Sequence, residues 1–388
     1  MSSSLERDSQ SSRRAGGHFD SLGSIACVLL LLIVIGFAAF RFAPVLPVGS
    51  SRNVDKAFFS SVNLITLTGF TQSFAAVSEY PPAGRWLLAL GSLASAATIL
   101  VGGGMFLASV FGIRISTVRL LIYSIVLLGA GAACGFSAGL SEGSSAASGL
   151  GLFAVRSPDK WMRTLLVSLS IPATIGPVFL TALIGLHKPT RRRSLFNGCW
   201  IAVVAFYLLG LLLLFACGFS SLDASLASWD ARSLGSGFFA PTDGNSMTQW
   251  IMAGLMPLGS APAGVCGGIG VLPIVVLIQA GWSGLRGRRV DPLMGVAVSW
   301  LAIFAIALWA LIVALALTQP QLPGDRMLFL AISALCNVGM SHDPIGMSRE
   351  GIYILSTGMA LGRFLPLAML CWMASLSDRE EIEDGRSN

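Results

Sequence analysis

The chain has 388 residues, of which 54% are hydrophobic and only 11% charged, where a soluble domain carries roughly a quarter charged. With a mean hydropathy of +0.76, this balance excludes an ordinary soluble globular protein and leaves a polytopic membrane protein. The formal charge of +6 does not point to nucleic acid, because the basic residues fall between apolar runs with no aromatic-basic platform or zinc spacing beside them.

Residues 1–20 are polar and serine-rich, with Arg7, Arg13 and Arg14, and are expected to form an irregular cytoplasmic tail. The apolar run 22–40 is long enough to span a bilayer. Its length and the spans that follow favour a retained helix over a signal-peptide core. Residues 54–66 predict a short helix, too polar to span, that stops at Thr68-Gly69. A half-helix ending within a bilayer leaves its last carbonyls without partners, at several kcal/mol each unless protein, water or an ion meets them. That end is also the negative end of the helix, so a cation is its natural guest. The run 86–111 then crosses back.

The same order recurs three times. Spans 120–139 and 161–186 flank segment 145–152, spans 195–218 and 250–277 flank 228–235, and spans 293–317 and 351–373 flank 333–340. The second and fourth segments align without gaps, both beginning Ser-Ala and both carrying glycine at the seventh place, Gly151 and Gly339. Gly149 is a competing choice in the second. Glycines 69, 151, 235 and 339 thus lie about one unit apart, a repeat that governs the reading of the whole chain. It divides the sequence into pore repeats 21–113, 114–190, 191–290 and 291–376, between tails 1–20 and 377–388. Four such units about one axis would supply a ring of backbone carbonyls, as a cation filter requires.

Between these units the arginines and lysines set the expected topology. The tail, Arg114, Arg119, Lys188, Arg191, Arg192, Arg193, Arg286, Arg288 and Arg289 fall on one side, taken as cytoplasmic, which puts both termini inside. The cluster 188–193 reads as a topology determinant touching anionic lipid, or as a dock for a cytosolic partner. Residues 259–268, with many glycines and Pro262, cannot hold an ordinary helix inside the sixth span. Such backbone at membrane depth belongs within protein or beside water. Arg363 is the one basic residue deep in a predicted span and is expected to face a cavity or a partner. Asp230 and Arg232 lead into the third segment and are expected to brace it. Gly102-Gly103-Gly104 reads as close helix packing. The seven cysteines lack a Cys-x-x-Cys and the three histidines are scattered, so no metal or catalytic cluster is expected. The acidic stretch 378–384 is expected to be solvated.

Thr66-Leu67-Thr68-Gly69-Phe70 and Ser333-Ala334-Leu335-Cys336-Asn337-Val338-Gly339-Met340-Ser341 are similar to the first and fourth filters of the Trk/Ktr/HKT superfamily of potassium transporters. The arginine and glycine of 228–235, the small-residue run 259–269 and Gly362-Arg363-Phe364-Leu365-Pro366 complete the resemblance, which covers nearly the whole chain. Ser148-Gly149 departs from it, standing where the family often has asparagines. The resemblance implies a K⁺ filter from Thr68, Gly69, Phe70, Gly149, Leu150, Gly151, Leu234, Gly235, Ser236, Val338, Gly339 and Met340. It implies support from Asp230, Arg232 and Asn337. It implies a gate from Gly259, Ser260, Ala261, Pro262, Ala263, Gly264, Gly267 and Gly268 with Arg363.

The expected fold is therefore all-α, with eight spans and four pore loops about a pseudo-fourfold axis, in the cell inner membrane. The expected function is K⁺ uptake by a non-enzymatic, channel-like membrane subunit. The resemblance adds a homodimer and a cytosolic nucleotide-binding ring. The chain itself shows no Gly-x-Gly-x-x-Gly element opening a Rossmann-type unit, so nucleotide would act only through that partner. Two alternatives stand beside this. One is a Na⁺-permeable or non-selective relative, against which glycine at all four positions argues. The other is a secondary transporter or non-conducting relative, which would more often show two inverted halves.

Overall fold

The computed structural model describes residues 2–46, 53–70, 80–151, 159–233, 238, 246–341 and 347–387, with side chains from residue 17 to 380 apart from Leu140. All regular structure in them is helical.

Helix α1 (Ser2–Phe42) is followed by the short α2 (Val54–Ile65) and the long α3 (Pro82–Phe111). Next come α4 (Thr117–Cys134), the short α5 (Leu140–Ser148), and two helices in place of one span, α6 (Lys160–Ile175) and α7 (Pro177–Leu183). Then come α8 (Arg193–Ala216), α9 (Ser221–Ser233), α10 (Ser246–Leu255) and α11 (Val271–Leu285). The chain closes with α12 (Leu293–Thr318), α13 (Gly324–Leu335) and α14 (Arg349–Ser387). Long, short and long helices alternate, and the short ones are the buried ones: α2 from Phe59 onward, α9 from Leu226 onward and α13 from Phe329 onward are buried throughout. The four short helices α2, α5, α9 and α13 each carry a carboxylate in the first turn, Asp55, Glu142, Asp223 and Asp325. A negative charge there complements the positive end of the helix.

Among the described residues six helices are long and apolar enough to cross a membrane, α1, α3, α4, α8, α12 and α14 in whole or in part. The expected span 161–186 is not one helix. α6 and α7 meet at 90°, because Gly176 takes a positive φ of 81° and Pro177 has no N–H with which to continue the helix and so starts a new one. The span 250–277 is interrupted as its composition foretold: α10 ends in a short 3₁₀ turn, Met256–Leu258, and residues 259–270 form a loop before α11.

One end of the bundle is tied by charge. His18 Nε2 lies 2.8 Å from Asp378 Oδ2, and Ser109 donates to Asp378 Oδ1 at 2.7 Å. Arg192 pairs with Asp291 at 2.9 Å and with Glu380, and it donates to Ser377 Oγ at 2.6 Å. Arg191 donates to the carbonyl of Ser377 at 3.1 Å. Two expectations change here. Residues 2–20 belong to α1, and Asp378 lies in this network, not in a solvated tail. Arg191 and Arg192 join the ends of α3, α8 and α14, so only Arg193 of that trio stands exposed. Asp55 with Arg349 and Tyr353, Arg163 with Asp223, and Gln249 with Asp325 make the contacts around the first turns of α2, α9 and α13.

Candidate functional site

Three of the four short helices end in the same way. The amide of Thr68 bonds the carbonyl of Asn63 at 3.1 Å, that of Leu150 bonds Ser145 at 2.9 Å, and that of Val338 bonds Ser333 at 3.0 Å. This bond, reaching back across the final turn, is a helix-terminating one. Beside it the backbone turns left-handed twice, two residues apart: at Leu67 and Gly69 (φ 56° and 81°), at Gly149 and Gly151 (76° and 72°), and at Asn337 and Gly339 (52° and 83°). Gly149 and Gly151 are therefore not rivals. Gly149 occupies the position of Leu67 and Asn337, and Gly151 that of Gly69 and Gly339. A non-glycine residue in this region costs about 1–3 kcal/mol, so Leu67 and Asn337 are held there by their surroundings.

The three ends converge. A β-carbon at Gly339 would strike the carbonyl oxygen of Thr68, and one at Gly69 would strike the carbonyl oxygen of Leu150. Each glycine thus abuts the carbonyl just before the glycine of the next segment. Side chains fix this backbone. Asn63, 4% exposed, donates to the Phe70 carbonyl and accepts from the Phe70 amide, both at 3.0 Å. Asn337 donates to Thr68 Oγ1 at 3.0 Å and to the Met359 carbonyl at 2.8 Å, joining α13's end to the first segment and to α14. The Thr66 and Thr68 hydroxyls lie 2.7 Å apart. Phe70, Val338 and Met340 are buried. Leu234, Gly235 and Ser236 lie outside the described residues, although α9, with Asp230 and Arg232 fully buried, leads directly to them.

The loop 259–270 lies against two buried guanidiniums. Arg363, 3% exposed, donates from Nη1 to the Val265 carbonyl at 2.7 Å and from Nε and Nη2 to the Thr66 carbonyl. Arg232, 1% exposed, donates from Nε to the Gly259 carbonyl at 2.6 Å and from Nη1 to the Val203 carbonyl at 3.3 Å. Main-chain carbonyls therefore meet every nitrogen of the Arg363 guanidinium and two of the three of Arg232, whose Nη2 has no partner among the described residues.

The break between α6 and α7 now has a physical account. The open C-terminal end of α6 offers carbonyls to the loop: Ser260 Oγ donates to Thr174 at 2.7 Å and the Val265 amide to Ala173 at 3.2 Å. The loop apex, Ala263, faces Gly103 of α3, where an added β-carbon would come within 3.0 Å of it. The same apex approaches Gly176 between α6 and α7. The run Gly102-Gly103-Gly104 serves helix packing as expected, against Ile25, against Leu367 and against Val178 with Leu120, and Gly103 in addition receives the loop apex.

Asn63, Ala173 and Thr174 were given no part by the sequence, and Thr66 and Val265 were marked there only as members of longer stretches. Asn63 carried a signal, being the polar residue at the place that Ser145 and Ser333 hold in the aligned segments. Gly176-Pro177 carried another, a helix breaker followed by a helix starter. Among the described residues no group of histidine, cysteine or carboxylate side chains could hold a metal ion. What the site offers a cation is main-chain carbonyl oxygen.

No protein-family model matches this sequence, and no curated protein matches it. Among solved structures the chain is similar to the potassium transporter TrkH from Vibrio parahaemolyticus, with a TM-score of 0.72 and 17% sequence identity over 90% of this chain and 84% of that one. The likeness establishes a shared all-α, multi-span membrane fold.

Proposed function

We propose that this chain is the K⁺-conducting membrane subunit of an uptake system of the Trk/Ktr/HKT kind. The observation that carries the reading is the close approach of Gly339 to the Thr68 carbonyl and of Gly69 to the Leu150 carbonyl. A filter needs this arrangement: equivalent carbonyls from successive units, turned inward at the negative ends of short helices, replacing the ion's hydration shell. The residues before and at glycines 69, 151, 235 and 339 form the filter, and the fourfold arrangement of the repeats follows from it. The fold likeness to TrkH supports the same assignment.

The gate is the loop 259–268 with Arg363. Its apex reaches elements of the first two repeats while its flank is held by the fourth, as a segment crossing the permeation axis would be. Closed, the guanidinium repels a cation leaving the filter. Open, the loop withdraws and the membrane potential drives the ion inward, at about 2.3 kcal/mol per charge per 100 mV. The reading includes an inner-membrane location, cytoplasmic termini, a homodimer and a cytosolic nucleotide-binding ring acting on the gate. The purified chain in liposomes should pass K⁺ in preference to Na⁺, read as flux and as the reversal potential in mixed salts. No flux of either ion with the loop deleted would refute the pore, and equal permeability would leave the Na⁺-permeable alternative.

A further inference from the structure

A cavity of about 40 Å³ lies between the loop 260–270 and a wall built from Ile99, Trp300, Arg363, Pro366, Leu367 and Leu370. That wall is apolar except for two side chains. One is Arg363, whose guanidinium already holds the Val265 and Thr66 carbonyls. The other is Trp300 of α12, 3% exposed, whose indole Nε1 has no hydrogen-bond partner among the described residues. A buried indole N–H normally finds a partner, and leaving one unmet is costly. The cavity beside it is large enough for only one to a few waters.

The loop has the opposite problem when it moves. Withdrawing from the axis breaks the bonds of Val265 to Arg363 and to Ala173, and that of Ser260 to Thr174. The one loop carbonyl so released, that of Val265, stays at membrane depth, where an unmet acceptor is disfavoured. The cavity is the space next to the loop, and Trp300, which lines it, carries a donor without a partner among the described residues. Ala263 and Gly268 already take positive φ, at 61° and 82°, so the loop contains the hinges for a peptide-sized shift.

We propose that Trp300 is the catch for the open gate: its indole N–H donates to a main-chain carbonyl of residues 260–267 when one peptide group of the loop shifts into the cavity. Arg363 holds the closed state and Trp300 the open one, so their removal has opposite effects. This inference rests on the gating reading above, and its test separates the two.

The test uses the full-length protein with Trp300→Phe, which keeps an aromatic ring and removes the donor. Hydrogen exchange of residues 259–270 reads loop opening without reference to transport. K⁺ flux in liposomes reads its consequence. Loss of one neutral hydrogen bond from the open state should lower both by roughly three- to tenfold. In a chain with the loop deleted, Trp300→Phe should leave flux unchanged. Wild-type exchange in the variant overturns the catch. So does an equal fall in flux with and without the loop, which makes Trp300 a packing residue. Reduced exchange in a chain that passes no K⁺ keeps the catch and removes the permeation reading instead.

Discussion

Asn63→Ala tests the site at its most exacting point. The Asn63 amide bonds both main-chain groups of Phe70 at 3.0 Å, in a place where Asn63 is 4% and Phe70 2% exposed. Alanine leaves a buried N–H and a buried C=O without partners, at about 1–3 kcal/mol each and therefore about 2–6 kcal/mol together. A cost of that size favours any backbone arrangement that finds other partners, so the segment from Thr68 to Phe70 should rearrange. Even 2 kcal/mol corresponds to about a thirtyfold change in an equilibrium. The K⁺/Na⁺ permeability ratio, from reversal potentials in liposomes, should fall at least about tenfold. Asn63→Asp should fall in the same direction, because it keeps the acceptor for the Phe70 amide but sets a carboxylate against the Phe70 carbonyl. A wild-type ratio and an unchanged melting temperature in Asn63→Ala would show that solvent satisfies Phe70 and that this clamp plays no part in selectivity.

Gly69→Ser should shift preference towards Na⁺, and Gly69→Ala should do the same, because the added β-carbon itself displaces the Leu150 carbonyl at a φ of 81°; an unchanged permeability ratio in both removes Gly69 from the filter. Arg363→Ala frees the Val265 carbonyl and the closed-state charge, so K⁺ flux should rise while the K⁺/Na⁺ ratio stays, and unchanged flux in a folded variant would leave Arg363 a packing residue. Arg192→Gln loses the pairs with Asp291 and Glu380 and the bond to Ser377. It should lower stability by about 1–2 kcal/mol, discounted for the part-exposed carboxylates. Arg193→Gln should change the melting temperature by nothing measurable, and equal effects of the two would contradict the tie between α8 and α14.

Much of this protein is local in the sequence. Apolar runs of span length announce the long helices, because lipid leaves the backbone no partner but itself. The short segments are legible as helices that stop at glycine, since a left-handed turn there has few other residues to choose from. The run 259–268 is legible as a break, because too many glycines and a proline stand together for a helix to persist. Gapless alignment of 145–151 with 333–339 even contained the register of the second segment, although Gly149 and Gly151 could not be ranked from composition.

Only the tertiary structure decided what those breaks touch. The sequence placed Arg363 with the loop and gave Arg232 a bracing part, but only the fold named their partners: the Gly259 and Val203 carbonyls for Arg232, and those of Thr66 and Val265 for Arg363. The bend between α6 and α7 serves the loop from nearly ninety positions away, through Thr174 and Ser260. Carbonyls carry no mark in a sequence, because every residue has one. Propensity, length and periodicity are properties of neighbours along the chain and can be read there. Which carbonyl meets which donor depends on how the units pack, and that is set only when the chain has folded.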